Sequence, residues 1–117
     1  MRAKILNASA GSGKTYQLAY KYVRDVIDQP GLYRHILAVT FTNKATEEMK
    51  SRILKEIHRL ASGGASPYLE NLCRELSLDE RSVRKRAAEV RSKILHDYSR
   101  FTVLTIDTFF QRILRAF

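Results

Sequence analysis

Apolar positions along the chain fall into short segments with strand character, separated by longer helical stripes. Residues 4–8, Lys-Ile-Leu-Asn-Ala, and residues 101–106, Phe-Thr-Val-Leu-Thr-Ile, are two such segments, and each predicts a strand. Residues 36–41 are continuously apolar and partly β-branched, as expected for a strand that is covered on both faces of a parallel sheet. The pattern therefore predicts three strands, with helices between them.

A helix is predicted directly after the first strand, beyond the small residues 9–13. Its apolar stripe comprises Tyr16, Ala19, Tyr20, Val23 and Ile27. Pro30 and Gly31 end this helix. The sequence thus begins with a strand, a glycine-containing loop and a helix.

A second helix is predicted after residue 41. Asn43 is the expected N-cap, and Glu47 and Glu48 are expected in the first turn, where the helix dipole favours acidic groups. The buried stripe comprises Ala45, Met49, Ile53, Ile57 and Leu60. Residues 62–65, Ser-Gly-Gly-Ala, end the helix.

Residues 66–100 predict two further helices, within a helical segment that spans residues 61–100. Ser66 before Pro67 is an expected N-cap, and residues 77–80 read as a capping box that opens the second of these helices. Its apolar side comprises Val83, Ala87, Val90 and Ile94, and its basic side comprises Arg81, Arg84, Lys85, Arg91 and Lys93. A solvated helix face explains this basic side more simply than a nucleic-acid contact surface does.

A last helix is predicted near Asp107, with a stripe of Phe110, Ile113, Leu114 and Phe117. This stripe continues to the final residue without a cap, so we expect residues 1–117 to be one part of a domain that is truncated at its C-terminus. The predicted order is β-α-β-α-α-α-β-α. It indicates an α/β fold with a mainly parallel sheet flanked by helices.

Composition narrows the functional classes. The chain has 117 residues with a formal net charge of +9, and 44% of them are hydrophobic, which is typical of one globular domain. The basic excess favours polyanionic partners such as nucleotides or nucleic acid, although charge alone is weak evidence.

Neither secretion nor a structural metal is indicated. The single Cys73 has no partner for an intramolecular disulfide, and His35, His58 and His96 are scattered singly, which favours a reducing cytoplasm. No apolar run approaches the length needed to span a bilayer, so we expect no membrane-spanning segment. An anionic membrane surface ranks behind nucleotides and nucleic acid as a partner for the basic charge, and no membrane is among the expected partners.

The strongest chemical signal is a phosphate-binding loop at residues 8–15, Ala-Ser-Ala-Gly-Ser-Gly-Lys-Thr. Gly11 and Gly13 let the backbone amides close around a phosphate, and the helix starting at Lys14 presents its positive dipole end. Lys14 would reach the β and γ phosphates of a nucleotide such as ATP, and the Thr15 hydroxyl would bind Mg²⁺. We therefore expect a partial P-loop NTPase domain in which Ala8, Ser9, Ala10, Gly11, Ser12, Gly13, Lys14 and Thr15 hold the cofactor.

Two features weaken a simple motif match. Ala8 stands where the general pattern has glycine, although the strand and helix lie where the mechanism needs them. Asp107 follows a strand, as a Mg²⁺-binding carboxylate would, but Thr108 stands in place of the Glu usual in hydrolysing motors. An N-cap role explains Asp107 equally well.

Three segments together, residues 8–15, 37–53 and 105–114, resemble helicase motifs I, Ia and Ib of the UvrD/Rep/RecB superfamily 1 DNA helicases. The second segment begins with Leu-Ala-Val-Thr-Phe-Thr-Asn-Lys-Ala, and the third with Thr-Ile-Asp-Thr-Phe. The third segment and the long helical interval before it are most similar to the RecB and AddA helicase-nuclease subunits. The resemblance implies the N-terminal part of a RecA-like motor domain.

The resemblance also implies ligands and partners. Phe41, Thr42 and Asn43 match positions that contact single-stranded DNA, with Phe41 able to stack on a base. Thr105 and Asp107 occupy further contact positions, although a carboxylate should repel phosphates. Each has a structural alternative: Phe41 could cap the sheet core, and Thr42 and Asn43 could cap the following helix. Expected partners are the remainder of the helicase chain and an AddB/RecC-like subunit.

Several sequence motifs of this helicase family are not found in this sequence. Only seven residues precede Ala8, where the family has an adenine-recognition motif, and motifs II to VI are absent. The chain alone is therefore expected to bind nucleotide but not to hydrolyse it efficiently or to unwind DNA. Alternative functions are a small P-loop kinase, which leaves residues 37–53 unexplained, and a non-catalytic nucleic-acid-binding module.

Overall fold

The computed structural model describes the backbone of residues 4–7 and 12–116 and the side chains of residues 17–116. Ala8, Ser9, Ala10, Gly11 and Phe117 lie outside the described residues, as do the side chains of residues 12–16. The order of elements is the predicted one, with two short 3₁₀ helices added. They are β1 (Lys4–Asn7), α1 (Ser12–Asp28), a 3₁₀ helix (Pro30–His35), β2 (Ile36–Thr40), α2 (Asn43–Ala61), α3 (Leu69–Leu76), α4 (Glu80–His96), a 3₁₀ helix (Tyr98–Arg100), β3 (Thr102–Thr105) and α5 (Ile106–Arg115).

The three strands form one parallel sheet in the order β1-β2-β3. Asn7 pairs with Val39 in the first ladder, and Thr40 pairs with Thr105 in the second. The expected α/β class with a parallel sheet is confirmed. Because the strands are parallel and in register, their C-terminal ends form one edge of the sheet, called the carboxyl edge below, and their N-terminal ends form the opposite amino edge.

Helices α1, α2 and α4 pack together over the sheet. Ile36 and Ala38 of β2 and Val103 of β3 belong to the same buried cluster as the apolar stripes of these helices. The strand order β1-β2-β3 means that both crossovers run in the same direction along the sheet. Because crossovers between parallel strands are nearly always right-handed, their helices are expected on one face, which agrees with the shared core. The predicted stripe of α4 is fully buried: Val83, Ala87, Val90 and Ile94.

The stripe of α1 is broader than predicted. Ala19, Val23 and Ile27 are buried as expected, but Tyr22 and Val26 are also completely buried. Tyr22 packs edge-on against Phe101, with ring centroids 5.6 Å apart. The helix begins at Ser12 rather than at Lys14, so the expected start was two residues too late.

Helix boundaries differ from prediction where two polar residues compete for the cap. Thr42, not Asn43, is the N-cap of α2, and its Oγ1 accepts a hydrogen bond from the Ala45 amide at 3.0 Å. The expectation that Glu47 and Glu48 lie in the first turn is also wrong, because that turn contains no acidic residue. Both carboxylates lie one turn further along an exposed face.

The capping box at residues 77–80 does not form. Ser77 ends α3 in a left-handed conformation with φ 55°, and its amide donates to the Cys73 carbonyl. Asp79 is the N-cap of α4 and accepts the Ser82 amide at 2.8 Å. Hydrogen bonds from Ser82 lower the pKa of the Asp79 carboxyl. The four residues therefore close one helix and open the next.

The expected N-cap at Ser66 is also wrong, because α3 begins three residues later and follows Tyr68. Ser66 instead joins α2 to the turn before α3. Its hydroxyl donates to Glu56 at 3.1 Å and accepts the Tyr68 amide at 3.2 Å. Glu56 is completely buried, and Arg52 and Arg59 lie 3.4 and 3.5 Å from its carboxylate.

Candidate functional site at the carboxyl edge

The three sequence motifs meet at the carboxyl edge of the sheet. Residues 8–15 follow β1, residues 41–43 follow β2, and residues 105–107 end β3 and begin α5. The ladder pairs of Asn7 with Val39 and of Thr40 with Thr105 put the ends of the three strands, from which these segments continue, side by side. Ligands of open parallel sheets bind at this edge, because the loops and helix N-termini that follow the strands converge there.

The N-terminus of α1 lies at this edge. The helix begins at Ser12, five residues after β1 ends at Asn7. Gly13, Lys14 and Thr15 therefore lie in its first turn, where backbone amides lack intrahelical partners and the dipole favours a negative group. This backbone arrangement fits a nucleotide phosphate.

Phe41 lies immediately after β2 and is half exposed. Its relative exposure is 50%, and it is not a member of the buried cluster. A side chain that capped the sheet core would be covered, whereas this ring keeps a large apolar surface open to solvent at the edge where the motifs meet.

The turn around Thr42 is held by buried threonines. Thr40 is completely buried, Thr46 is 8% exposed, and their hydroxyl oxygens are 2.6 Å apart. Thr46 Oγ1 donates to the Thr42 carbonyl at 3.1 Å, and the Thr40 hydroxyl lies 3.4 Å from the Leu104 carbonyl of β3. These contacts link the turn after β2 to the neighbouring strand and fix the base of Phe41. Neither Thr40 nor Thr46 was expected as a site residue, although both lie within the segment 37–53, Thr40 at the end of β2 and Thr46 in the first turns of α2.

Thr105 is the N-cap of α5. Its Oγ1 accepts the Thr108 amide at 3.3 Å and lies 3.0 Å from the Thr108 hydroxyl. The alternative role of Asp107 as the N-cap is therefore wrong. Asp107 lies in the first turn of α5 with an exposed side chain, where the helix dipole favours a carboxylate.

The basic side of α4 divides into two groups. Arg84 is structural: its Nη1 lies 3.0 to 3.4 Å from the carbonyls of Arg59, Leu60 and Gly64 at the end of α2. Arg91 lies 3.2 Å from His58 of α2. Arg81, Lys85 and Lys93 are exposed. The sequence did not reveal the cap that Arg84 makes, nor that Arg86 caps the end of α1 through the Asp28 carbonyl at 2.9 Å.

The structure offers neither a metal cluster nor a membrane span in its described part. Within the described residues, no group of three or more His, Cys, Asp or Glu side chains could hold a metal ion. In the same part of the chain, none of the helices combines the length and the apolar character needed to cross a membrane.

Comparison with known proteins adds independent evidence. The profile of the UvrD/REP helicase N-terminal domain matches residues 2–117. The RecBCD enzyme subunit RecB of Escherichia coli strain K12 is 31% identical over 119 residues, which cover 95% of this chain and 10% of that protein. An ATP-dependent helicase/nuclease subunit from Bacillus mycoides is 36% identical over 76 residues, which cover 63% of this chain and 6% of that protein.

The RecB subunit of Haemophilus influenzae is 30% identical over 133 residues, which cover 97% of this chain and 10% of that protein. The chain thus spans about a tenth of the length of the RecB relatives it matches. No solved structure gives a significant match. Because the family profile covers residues 2–117, the expectation from the three motifs is confirmed: this chain belongs to the UvrD/REP helicase N-terminal domain family.

Proposed function

We propose that the chain is the ATP-binding part of a RecA-like, P-loop motor domain in an ATP-dependent DNA helicase of the RecB or AddA type. One observation carries the proposal: three segments far apart in sequence, residues 8–15, 41–43 and 105–107, follow neighbouring parallel strands at one edge. One of them begins a helix whose first turn suits a phosphate. The parent protein then acts on DNA in the cytoplasm, in recombination or repair.

In this proposal, residues 8–15 bind the nucleotide. The backbone amides of Ala8 to Gly13 surround the phosphates, Lys14 neutralises the β and γ groups, and Thr15 holds Mg²⁺. ATP supplies the free energy for movement when it is bound and hydrolysed in the complete motor. This chain's own contribution is to bind and orient the phosphates.

In this proposal, residues 41–43 and 105–107 bind single-stranded DNA. The exposed Phe41 ring stacks on a base, while Thr42 and Asn43 bind the backbone. Thr105 at the start of α5 offers a second backbone contact. Asp107 contributes least, because its exposed carboxylate repels phosphate.

The remainder of the helicase chain is the proposed neighbour of α5. Phe110 and Leu114 on this helix are 54% and 73% exposed, and Ile113 beside them is 37% exposed. An apolar stripe of this kind is typical of a covered helix face. An AddB/RecC-like subunit is a further partner of the parent protein, since the matched relatives include subunits of the RecBCD enzyme. On its own, the chain binds nucleotide without efficient hydrolysis or unwinding.

Mg²⁺-dependent binding of a fluorescent ATP analogue to the chain tests this proposal. Lys14→Ala should weaken binding by about 2 kcal/mol, because a charge-assisted contact to phosphate is lost. Lys21→Ala is the matched control, since it removes the same charge from an exposed position on the same helix. Circular dichroism checks that both variants are folded.

The same variants separate the alternative functions. Retained single-stranded DNA binding by Lys14→Ala supports the motor, whereas equal loss of DNA and nucleotide binding supports a non-catalytic module that grips the backbone with its loop. Phosphate transfer to a small acceptor without any DNA binding supports a kinase. Equal nucleotide binding by Lys14→Ala and the wild-type chain contradicts the proposed site.

A further inference from the structure

A polar cavity lies at the amino edge of the sheet, opposite the edge where the motifs meet. It has a volume of about 370 Å³ and is lined by Gly31, Tyr33, Arg34, His35, Lys93, His96 and Asp97. Residues 31–35 precede β2, and residues 93–97 end α4 shortly before β3. Because the strands are parallel, both groups lie at the N-terminal ends of the strands. None of these residues belongs to the three motifs.

One wall of the cavity is fixed by a compact network. Tyr33 is 2% exposed, and its hydroxyl donates to Asp97 Oδ2 at 3.1 Å. Arg34 Nη2 lies 3.0 Å from the same carboxylate oxygen, and Arg34 Nε donates to the Tyr33 hydroxyl at 3.3 Å. The single carboxylate of the cavity is therefore paired, and Arg34 is held with half of its side chain exposed.

Lys93 supplies positive charge that this network does not neutralise. Its side chain is exposed, and within residues 17–116 its ammonium group has no hydrogen bond or ion pair. His35 and His96 add two imidazole groups to the lining. His96 Nδ1 lies 2.7 Å from the Ser92 carbonyl, which leaves Nε2 directed away from the helix backbone. Lys93 therefore gives the cavity its net charge.

A common explanation for cations at this position is the helix dipole, because lysine and histidine stabilise a helix C-terminus. Two of the last four carbonyls of α4, those of Lys93 and Ile94, already have partners other than the Lys93 ammonium group. The Asp97 amide donates to Lys93 O and Ile94 O at 3.0 and 3.3 Å, and the Tyr33 hydroxyl lies 3.4 Å from Lys93 O. Lys93 is thus available to an external anion.

We infer that this cavity binds a phosphodiester group of a DNA strand, through Lys93 and the exposed face of Arg34. Paired donors on arginine and a point charge on lysine are the groups that contact phosphate oxygens without reading sequence. The assignment to DNA rather than to another phosphate rests on the proposed function and on the net charge of +9. It gives the chain a second DNA contact, separate from the edge that carries Phe41.

Residue-resolved NMR of the ¹⁵N-labelled chain tests the inference. The probe is a deoxythymidine oligonucleotide of about eight nucleotides, a length within the usual range for single-strand sites. We expect it to shift the amide resonances of Gly31, His35 and Asp97. Lys93→Ala should reduce these shifts and weaken binding about threefold to tenfold, and the slope of log K against log salt should fall by about 0.7.

Lys85→Ala is the matched control, because it removes one exposed positive charge from the same helix outside the cavity. Equal effects of Lys93→Ala and Lys85→Ala on oligonucleotide binding would overturn the inference, since they would indicate general charge attraction.

The pattern of resonance shifts gives a second test. Amide shifts at the cavity with inorganic phosphate but none with the oligonucleotide would also overturn the inference. Shifts confined to residues 41–43 would leave the proposed function intact and remove the second contact. Shifts confined to the cavity would support the inference and count against the proposed DNA site.

Discussion

The helical layer, residues 43–96, and the carboxyl edge use polar side chains in opposite ways. In the helical layer, Arg84 caps α2, Arg86 caps α1, and the buried Glu56 is enclosed by two arginines and Ser66. At the carboxyl edge, Phe41, Asn43 and Asp107 are exposed beyond a base of buried threonines. The charged side chains of the helical layer therefore stabilise the fold, whereas the exposed side chains of the carboxyl edge remain available to bind a ligand.

This difference predicts that substitutions of the capping and enclosed charges of the helical layer, Arg84, Arg86 and Glu56, reduce stability and leave ligand binding intact. Arg84→Ala should have the largest effect, about 2 kcal/mol of unfolding free energy, because three carbonyls at the end of α2 lose a charged donor. Equilibrium unfolding in denaturant measures this change. Lys85→Ala, at the neighbouring exposed position, should change stability by less than about 0.5 kcal/mol.

If Arg84→Ala and Lys85→Ala proved equally stable, the α4 basic side would be a solvated face throughout. The distinction between the two groups of basic residues would then be lost. If Arg84→Ala does not fold, Arg84→Lys can be measured instead. This variant keeps one charged donor and should retain part of the stability.

A smaller effect is expected at the carboxyl edge, where the Thr42 hydroxyl caps α2. Thr42→Ala should cost about 1 kcal/mol of stability, because the Ala45 amide loses its acceptor. Thr42→Ser keeps the cap and should stay close to the wild-type chain. Thermal or denaturant unfolding measures both variants. Asn43→Ala is the control, and a larger cost for it than for Thr42→Ala would restore Asn43 as the cap.

The order and type of the elements could be predicted because hydrophobic periodicity is a local property. The continuous run in β2 and the buried stripe of α4 at Val83, Ala87, Val90 and Ile94 both follow from spacing alone. The extra buried residues of α1, Tyr22 and Val26, escaped prediction because that helix meets α2, α3 and α4 as well as the sheet. Contact with several elements widens the buried face beyond a single stripe.

Caps were the least predictable local feature. Thr42 and Asn43 are both good N-cap residues, and so are Ser77 and Asp79. Which member of each pair is used depends on where the preceding element ends. Ser77 closes α3 in a left-handed conformation, so only Asp79 remains to begin α4. Local residue preference cannot decide between neighbours that are equally suitable.

Contacts between distant elements could not be predicted from the sequence. Arg84 reaches carbonyls 20 to 25 residues earlier in the chain, and Tyr33 contacts Asp97 across 64 residues. The chemistry of the candidate site was better signalled, because motifs I, Ia and Ib have distinctive residues at strand ends. Binding of ATP, Mg²⁺ and DNA by those residues stays a prediction that the binding experiments test.

The central claim is that the exposed edge around Phe41 contacts single-stranded DNA. Its most direct measurement is binding of a fluorescent oligonucleotide to Phe41→Ala, with Phe41→Tyr as the variant that keeps an aromatic ring. We predict that Phe41→Ala loses about 1 to 3 kcal/mol of binding free energy, because one base loses its stacking partner. Phe41→Tyr should bind like the wild-type chain, and all three proteins should unfold at similar denaturant concentrations. Unchanged DNA binding by a folded Phe41→Ala variant would contradict the account.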